Sequence, residues 1–241
     1  MASDQKKPFV LIHGGTHGGW CWSRVIPDLQ AAGHRVFAPT LTGVGERHHL
    51  SGPSVDLNTH IQDVVAVLEC EELEQAILVA HSFGGYPMGG AADRVPERIS
   101  QLIFLDAVIA EDGNAQFDHI PKDVVAKKMA TAVEINGAKS FGALSAEFYG
   151  VTDPDDIAWV NRRVTPQPAK TYTTPIRLTH PVCNGLSSTY IVCSEPRLTA
   201  LEHYYGRARQ LGMTMMEIAT GHDAMVTAPR ELAEMLLTIA R

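Results

Sequence analysis

The sequence predicts an α/β fold: a mostly parallel sheet of six strands, covered by helices on both faces, with a lid inserted above it. Short aliphatic and β-branched runs alternate with helical stretches along most of the 241 residues, a pattern typical of a parallel sheet buried on both faces. The alternation breaks once, over residues 111–181, and then resumes. Apolar residues make up 45% and charged residues 20% of the chain, a balance typical of a globular protein with a sizeable core.

The first half of the chain alternates strands with helices. The run Phe9-Val10-Leu11-Ile12 is apolar throughout, as expected of a strand buried on both faces. The first helix is expected to be capped by Ser23 and to stop at Gly33, both favoured residues at these positions. Before residue 111, strands are predicted at residues 9–12, 35–38, 76–80 and 102–105, and helices at residues 22–32, 58–69 and from 84 onward.

The break in the alternation separates the two halves of the sheet. Residues 111–181 carry scattered amphipathic pieces, prolines at positions 166, 168 and 175, and no clear strand. Because sheet elements resume afterwards, this 111–181 segment is predicted to be a lid within a single domain of residues 1–241. Later strands are predicted at residues 188–193 and 214–218, and helices at residues 198–211 and 229–240.

Charge and cysteine content exclude several classes of function. The chain has 20 Lys and Arg against 27 Asp and Glu, a net charge of −7, which argues against a nucleic-acid partner and disfavours a strongly anionic substrate. Residues 1–8 are polar and hold no signal sequence, and no apolar run reaches the roughly 18 residues of a membrane span. Four cysteines without CxxC or metal-finger spacing are expected to be reduced, partly buried thiols. We therefore expect no membrane contact and a cytoplasmic location.

A serine lies on a sharp turn between a predicted strand and a predicted helix. The segment Val79-Ala80-His81-Ser82-Phe83-Gly84-Gly85 follows the pattern Gly-x-Ser-x-Gly, with Ala80 in place of the first glycine. Small residues on both sides let the backbone hold a nucleophile exposed above the sheet edge. The helix that follows offers backbone N–H groups to an oxyanion. Ser82 is the candidate nucleophile, the alternative being that it only caps this helix.

A glycine-rich loop follows the first strand. Its sequence is His13-Gly14-Gly15-Thr16-His17-Gly18-Gly19-Trp20, and glycines allow backbone N–H groups to face a site. The N–H groups of Gly15 and of Phe83, which follows the nucleophile, are the candidate oxyanion donors. Neither GxGxxG nor GxxxxGK[ST] occurs in the chain, so no nucleotide cofactor is expected.

Of the eleven histidines, His222 is the candidate general base. It stands between the last strand and the closing helix, and it completes the order serine, acid, histidine along the chain. Two carboxylates could orient it, Asp106 after the fourth strand and Glu195 after the fifth. Asp106 is favoured, because its side chain should leave the sheet near Ser82. No HExxH or comparable spacing occurs, so no metal is expected.

With these segments in place, the chain resembles the α/β-hydrolase superfamily over nearly its whole length. More narrowly, it is similar to the branch that contains hydroxynitrile lyases and plant methyl esterases, among them salicylate methyl esterases. The resemblance rests on the run from His13 to Trp22, on the turn around Ser82 and on Gly221-His222. It implies an α/β-hydrolase fold, a Ser-His-acid triad and no organic cofactor, and homodimers are common in this branch.

Two departures from that branch bear on the reaction. The branch usually carries its acid after the fifth strand, where this chain has Pro196, with Glu195 one residue earlier. Its hydroxynitrile lyases carry a lysine just after the catalytic histidine, and Asp223 stands there instead. The prediction is a bacterial-type serine carboxylesterase that cleaves small-molecule esters of apolar or aromatic acids. A lyase or C–C bond hydrolase on the same triad, and a ligand-binding protein with residual esterase activity, remain alternatives.

Overall fold

A six-stranded sheet runs through the centre of the computed structural model, which describes residues 6–241. The first five residues of the polar amino terminus lie outside the described part. In chain order the strands are β1 (Phe9–Ile12), β2 (Val36–Phe37), β3 (Ala76–His81), β4 (Ile99–Leu105), β5 (Val133–Ile135), β6 (Ala138–Phe141), β7 (Gln167–Pro168), β8 (Ser187–Cys193) and β9 (Thr214–Ile218). The central sheet has the order β2-β1-β3-β4-β8-β9, and all its neighbouring strands are parallel. The predicted fold class is confirmed.

Each predicted helix has a counterpart among the described residues, but the first begins later than predicted, and four further short helices were not predicted. Gly19–Trp22 forms a 3₁₀ turn, and the first α-helix begins only at Ile26, so Ser23 does not cap it. Pro27 accounts for this start, because a residue without an N–H fits the first turn of a helix. The helices are α1 (Ile26–Ala31), α2 (Leu57–Cys70), α3 (Gly85–Arg94), α4 (Lys122–Ala130), α5 (Pro154–Asn161), α6 (Lys170–Thr173), α7 (Glu202–Gln210), α8 (Ala224–Thr227) and α9 (Pro229–Ile239).

Alternate side chains of the strands contribute to two apolar cores, one on each face of the sheet. In β1, Val10 and Ile12 belong to one core and Phe9 and Leu11 to the other. Helices α2, α3 and α7 complete the first core, and α1 and α9 complete the second. Since both faces are covered, every residue of β3 is buried, which explains why its sequence is apolar from Ala76 to Ala80.

The 111–181 segment contains strands that the sequence analysis did not predict. β5 and β6 form an antiparallel hairpin, and β7 pairs with the other edge of β6. The hairpin turns at Asn136 and Gly137, both with positive φ (49° and 78°). Asn-Gly is a strong hairpin signal, so the sequence carried this information. The strands that flank the turn are short, and β5 has exposed residues, so they lack the alternation of apolar and polar residues that indicates a strand.

No helix within residues 6–241 combines the length and the apolar character needed to cross a bilayer.

Two glycines in helices provide a test of the packing. A Cβ on Gly85 would lie 1.9 Å from the backbone carbonyl oxygen of Val108, whereas a Cβ on Gly206 would meet nothing within 4 Å. We expect Gly206→Ala to stabilise the protein by up to about 1 kcal/mol through helix propensity. Gly85→Ala should destabilise it by about 1–3 kcal/mol through overpacking. Urea denaturation of both variants checks this, and equal effects of the same sign would contradict it.

Candidate active site

Ser82 directly follows β3 at the carboxyl edge of the sheet, with a φ of +51°. This left-handed conformation is unfavourable for a residue with a Cβ and is typical of a nucleophile held on a strained turn. A Cβ on Gly84 would lie 2.8 Å from the carbonyl oxygen of His13 and 2.9 Å from that of Ile12. Only glycine at position 84 therefore lets the turn pack against the end of β1.

Asp106 occupies the equivalent place on the neighbouring strand. β3 and β4 are paired along their length, and Asp106 follows β4 as Ser82 follows β3. Its φ is also positive, at +45°, and it is completely buried. Two donors reach its Oδ1: the hydroxyl of Tyr205 at 2.7 Å and the N–H of Cys193 at 3.4 Å. These two donors hold the carboxylate in place and leave Oδ2 for another partner.

His222, in the loop after β9, contacts the other oxygen of this carboxylate. Its Nδ1 lies 2.6 Å from Oδ2 of Asp106. The alternative acid, Glu195, is exposed, and its N–H donates to the carbonyl of Thr220 (3.1 Å). Among residues 6–241, the side chains of Ser82 and His222 form no hydrogen bond with each other, but both line one cavity. Such a bond is often long in a site without substrate.

The glycine-rich loop passes directly against the turn that carries Ser82. A Cβ on Gly14 would lie 2.8 Å from Nδ1 of His81 and 3.0 Å from Cβ of Ser82, so glycine is required for this approach. Gly15 lines the same cavity as Ser82, and Phe83 adjoins the serine in the chain. The two predicted oxyanion donors therefore belong to backbone segments that meet at Ser82.

Three buried side chains hold the loop in place. His17 contacts the carbonyl oxygen of Gly15 through Nδ1 (2.9 Å) and Oδ2 of Asp223 through Nε2 (3.3 Å). The N–H of Thr16 donates to Oε1 of Gln167 (2.8 Å), a buried residue of β7. The sequence did not predict these roles. Asp223 was conspicuous only as a departure from the lyases, and no pattern in the sequence indicates Gln167.

The buried histidines of the site differ in charge. Burial alone would lower the pKa of His17 and raise that of Asp223, but their mutual attraction outweighs burial: it raises the pKa of His17 and holds that of Asp223 at about 2. Burial lowers the pKa of His13 to about 3, and burial together with the charge of His222 brings that of His81 well below its ordinary range. Since both nitrogens of His17 face acceptors, only its imidazolium can donate to both.

Side chains of the 111–181 segment close the site. With the loop and the turn they border a cavity of about 30 Å³, room for about two water molecules. The hydroxyl of Tyr172 lies 2.0 Å from where a Cβ on Gly15 would stand, and its ring stacks on Phe83 with centroids 4.4 Å apart. The residues that this segment contributes to the cavity are Lys128, Phe141, Leu144, Tyr149 and Tyr172.

Ligand atoms of His81, His222 and Asp223 lie within 4.8 Å of one another, a spacing that could hold a metal ion. Other contacts already engage these groups. His222 is paired with Asp106, Asp223 with His17, and Nε2 of His81 lies 3.1 Å from the carbonyl oxygen of His222. We therefore interpret this cluster as a hydrogen-bonded network and assign it no metal.

Comparison with known proteins identifies relatives over the full length of the chain. The model of the alpha/beta hydrolase family matches residues 9–235. A carbendazim hydrolyzing esterase of Nocardioides sp. (strain SG-4G) is 38% identical, over 96% of this chain and 98% of the relative. Methylesterase 7 of Arabidopsis thaliana is 28% identical, over 100% of this chain and 98% of its own.

Solved structures show the same fold. An extracellular alpha/beta-hydrolase from a Paenibacillus species superposes with a TM-score of 0.81 at 21% identity, covering 96% of this chain and 98% of its own. Polyneuridine aldehyde esterase superposes with a TM-score of 0.80 at 24% identity, covering 98% of this chain and 100% of its own.

The buried pair of His17 and Asp223 should make stability depend on pH. Asp223, with a pKa lowered to about 2, stabilises the fold above the unfolded carboxyl pKa, and this contribution of about 2 kcal/mol is lost as pH falls from about 4 through 2. His17, with a raised pKa, stabilises the fold below about pH 6.5, and that contribution is lost as pH rises through its folded-state pKa.

Asp223→Asn should therefore be most destabilising between about pH 4 and 6.5, and less so at pH 3 and pH 9. Guanidinium denaturation of the wild type and the variant at pH 3, 5.5 and 9 measures the difference. Asp28→Asn, which alters an exposed carboxylate of α1, is the control. A destabilisation by Asp223→Asn that is equal at the three pH values would contradict the pairing.

Proposed function

The chain belongs to the alpha/beta hydrolase family and is a carboxylic ester hydrolase, and we propose that it acts through a triad of Ser82, His222 and Asp106. The observation that carries the proposal is the 2.6 Å contact between Nδ1 of His222 and Oδ2 of Asp106, beside the positive-φ serine. An acid in this contact holds the imidazole in the tautomer that leaves Nε2 free to accept a proton.

In the proposed reaction, Ser82 attacks the ester carbonyl while Nε2 of His222 takes its proton. Asp106 stabilises the imidazolium that forms. The N–H groups of Gly15 and Phe83 hold the oxyanion, and the loss of one such donor typically costs about 3–4 kcal/mol of transition-state stabilisation. His222 then protonates the leaving alcohol, and water hydrolyses the acyl-enzyme with His222 again as the base.

The proposed substrates are small-molecule esters of apolar or aromatic acids. Three aromatic side chains from the 111–181 segment line the cavity, Phe141, Tyr149 and Tyr172, and they offer flat apolar surfaces to an aromatic acid. The cavity of about 30 Å³ is smaller than an aryl ester, and we expect the 111–181 segment to move when a substrate enters. This supports its assignment as a lid.

We also propose a reducing compartment, such as the cytoplasm. Cys21, Cys70, Cys183 and Cys193 are all free thiols. Cys70 is exposed, which corrects the expectation that all four would be at least partly buried. An exposed thiol persists best where the surroundings keep thiols reduced.

Substitution of the nucleophile and of the two candidate acids tests the triad. Ser82→Ala should abolish labelling by a fluorophosphonate and reduce kcat on 4-nitrophenyl acetate by a factor of roughly 10⁶. Asp106→Asn should reduce kcat by roughly 10³–10⁴-fold, because the histidine loses its orientation. Glu195→Gln is the matched control and should retain wild-type turnover. Ester hydrolysis by Ser82→Ala at the wild-type rate would refute the mechanism, and a loss confined to Glu195→Gln would identify the other acid.

Two adjacent tyrosines provide a finer test of Asp106. The hydroxyl of Tyr205 donates to Oδ1 of Asp106, whereas that of Tyr204 is buried without a hydrogen-bond partner among the described residues. Tyr205→Phe should lower kcat roughly tenfold, as one charge-assisted hydrogen bond is lost, and Tyr204→Phe should leave it unchanged. Steady-state kinetics on the same ester measures both, and similar kcat values for the two variants would argue against a positioning role of Tyr205.

A further inference from the structure

One charged side chain of the site has no role in the proposed triad. Lys128, near the end of α4, lines the cavity together with Ser82 and His222. Its neighbour Lys127 points to solvent, with 81% of its side chain exposed, and its ammonium lies 3.6 Å from Asp123. The two lysines thus form a natural pair, one facing the cavity and one facing solvent.

The ammonium of Lys128 has no anionic partner. Nζ lies 4.3 Å from the ring centre of Phe141, and no carboxylate of residues 6–241 comes within 4.0 Å of it. Asp223, the carboxylate that borders the cavity, is paired with His17. Burial lowers the pKa of Lys128, as expected for an ammonium that is partly removed from water.

Within residues 6–241, the ammonium of Lys128 lacks hydrogen-bond acceptors and a negative charge beside it. A cation over an aromatic ring gains some electrostatic attraction, but the three N–H donors of the ammonium still need acceptors. A partly buried charge is costly unless it is paired and hydrogen-bonded. An anionic oxygen on a bound molecule would supply both.

We propose that Lys128 is a subsite for a carboxylate carried by the ester substrate, so that the enzyme prefers esters with a second, anionic group. This inference rests on the proposed function. Lys128 and Ser82 line the same cavity, and Lys128 belongs to the 111–181 segment, which we expect to close over a bound substrate. The carboxylate and the scissile ester are therefore expected to belong to one small molecule. The aromatic rings of Phe141, Tyr149 and Tyr172 around the cavity fit a flat linker between them, and the substrate class is carboxyaryl esters and monoesters of aromatic dicarboxylic acids.

This proposal differs from the expectation based on net charge. A total of −7 describes the whole surface, and salt screens most of it over about 8–10 Å. The groups within a few ångströms of the ligand decide its recognition, and in this cavity Lys128 is the unpaired charge among the described residues.

The test compares charged and neutral substrates of similar shape. In the first pair, monomethyl terephthalate carries a carboxylate on its acid part, and methyl 4-methylbenzoate is the neutral counterpart. In the second pair, 4-carboxyphenyl acetate carries a carboxylate on its alcohol part, and 4-methylphenyl acetate is the neutral counterpart. For each pair, the ratio of kcat/KM for the charged ester to that for the neutral ester is measured by chromatography. Because each ratio is compared with that of the wild type, differences in intrinsic reactivity cancel.

Lys128→Met should lower the ratio by roughly 10- to 100-fold for at least one pair, as a charge-assisted hydrogen bond is lost. Lys128→Arg should retain most of the wild-type preference for the charged ester, and Lys127→Met should retain all of it. An unchanged ratio in Lys128→Met, or an equal fall in Lys127→Met, overturns the proposal. Ser82→Ala separates the two hypotheses: turnover that survives this change refutes the triad, whatever the ratios show.

Inhibition of the wild type gives a second readout that needs no variant of Lys128. Terephthalate should inhibit the hydrolysis of 4-methylphenyl acetate at least about tenfold more strongly than 4-methylbenzoate, since only terephthalate has a second carboxylate to reach Lys128. Equal inhibition by the two acids overturns the proposal.

Discussion

The hydrogen bond between His222 and Asp106 joins two parts of the chain that are separated by the whole 111–181 segment. Its length of 2.6 Å requires the loop after β9 to reach back across β8 to the end of β4. Parallel pairing makes this feasible, since all strands of the central sheet end at the same edge. The two positive-φ residues Ser82 and Asp106 then stand side by side, because their strands are neighbours. The sheet order thus decides which residues can react together.

A second buried ion pair lies beside the first. His17 and Asp223 are both almost completely buried. Apolar side chains could fill the same space without burying two charges. A buried ion pair is often no more stabilising than well-packed apolar side chains in its place, but the loss of one partner is costly, so the pair restricts the geometry around it. Here Nδ1 of His17 donates to the carbonyl oxygen of Gly15. The pair therefore fixes the glycine-rich loop, which contains one of the two proposed oxyanion donors. Gln167 accepts a hydrogen bond from the N–H of Thr16 and so connects the same loop to the 111–181 segment. Movement of that segment should therefore change the position of the Gly15 N–H group.

The acid illustrates how far sequence reasoning reaches. Asp106 and Glu195 both follow strands, and the sequence favoured Asp106 without excluding Glu195, because strand order and turn direction decide which carboxylate faces the histidine. The tertiary structure buries Asp106 and leaves Glu195 in solvent. In the β5–β6 hairpin, by contrast, the Asn-Gly dipeptide is a local signal for the turn, but the flanking strands are too short and too exposed to show a clear strand pattern. Lys128 had no such signal, because nothing in the sequence distinguishes it from the adjacent Lys127.

The sequence by itself determined the fold class, the strained turn at Ser82, the glycine-rich loop and the histidine after the last strand, because these depend on local backbone geometry and on short-range apolar patterns. Only the tertiary structure decided the partner of His222, the pairing of His17 with Asp223 and the lysine that faces the cavity. Those choices depend on which distant side chains share one buried volume, and burial changes the energy of a charge by more than any local preference does.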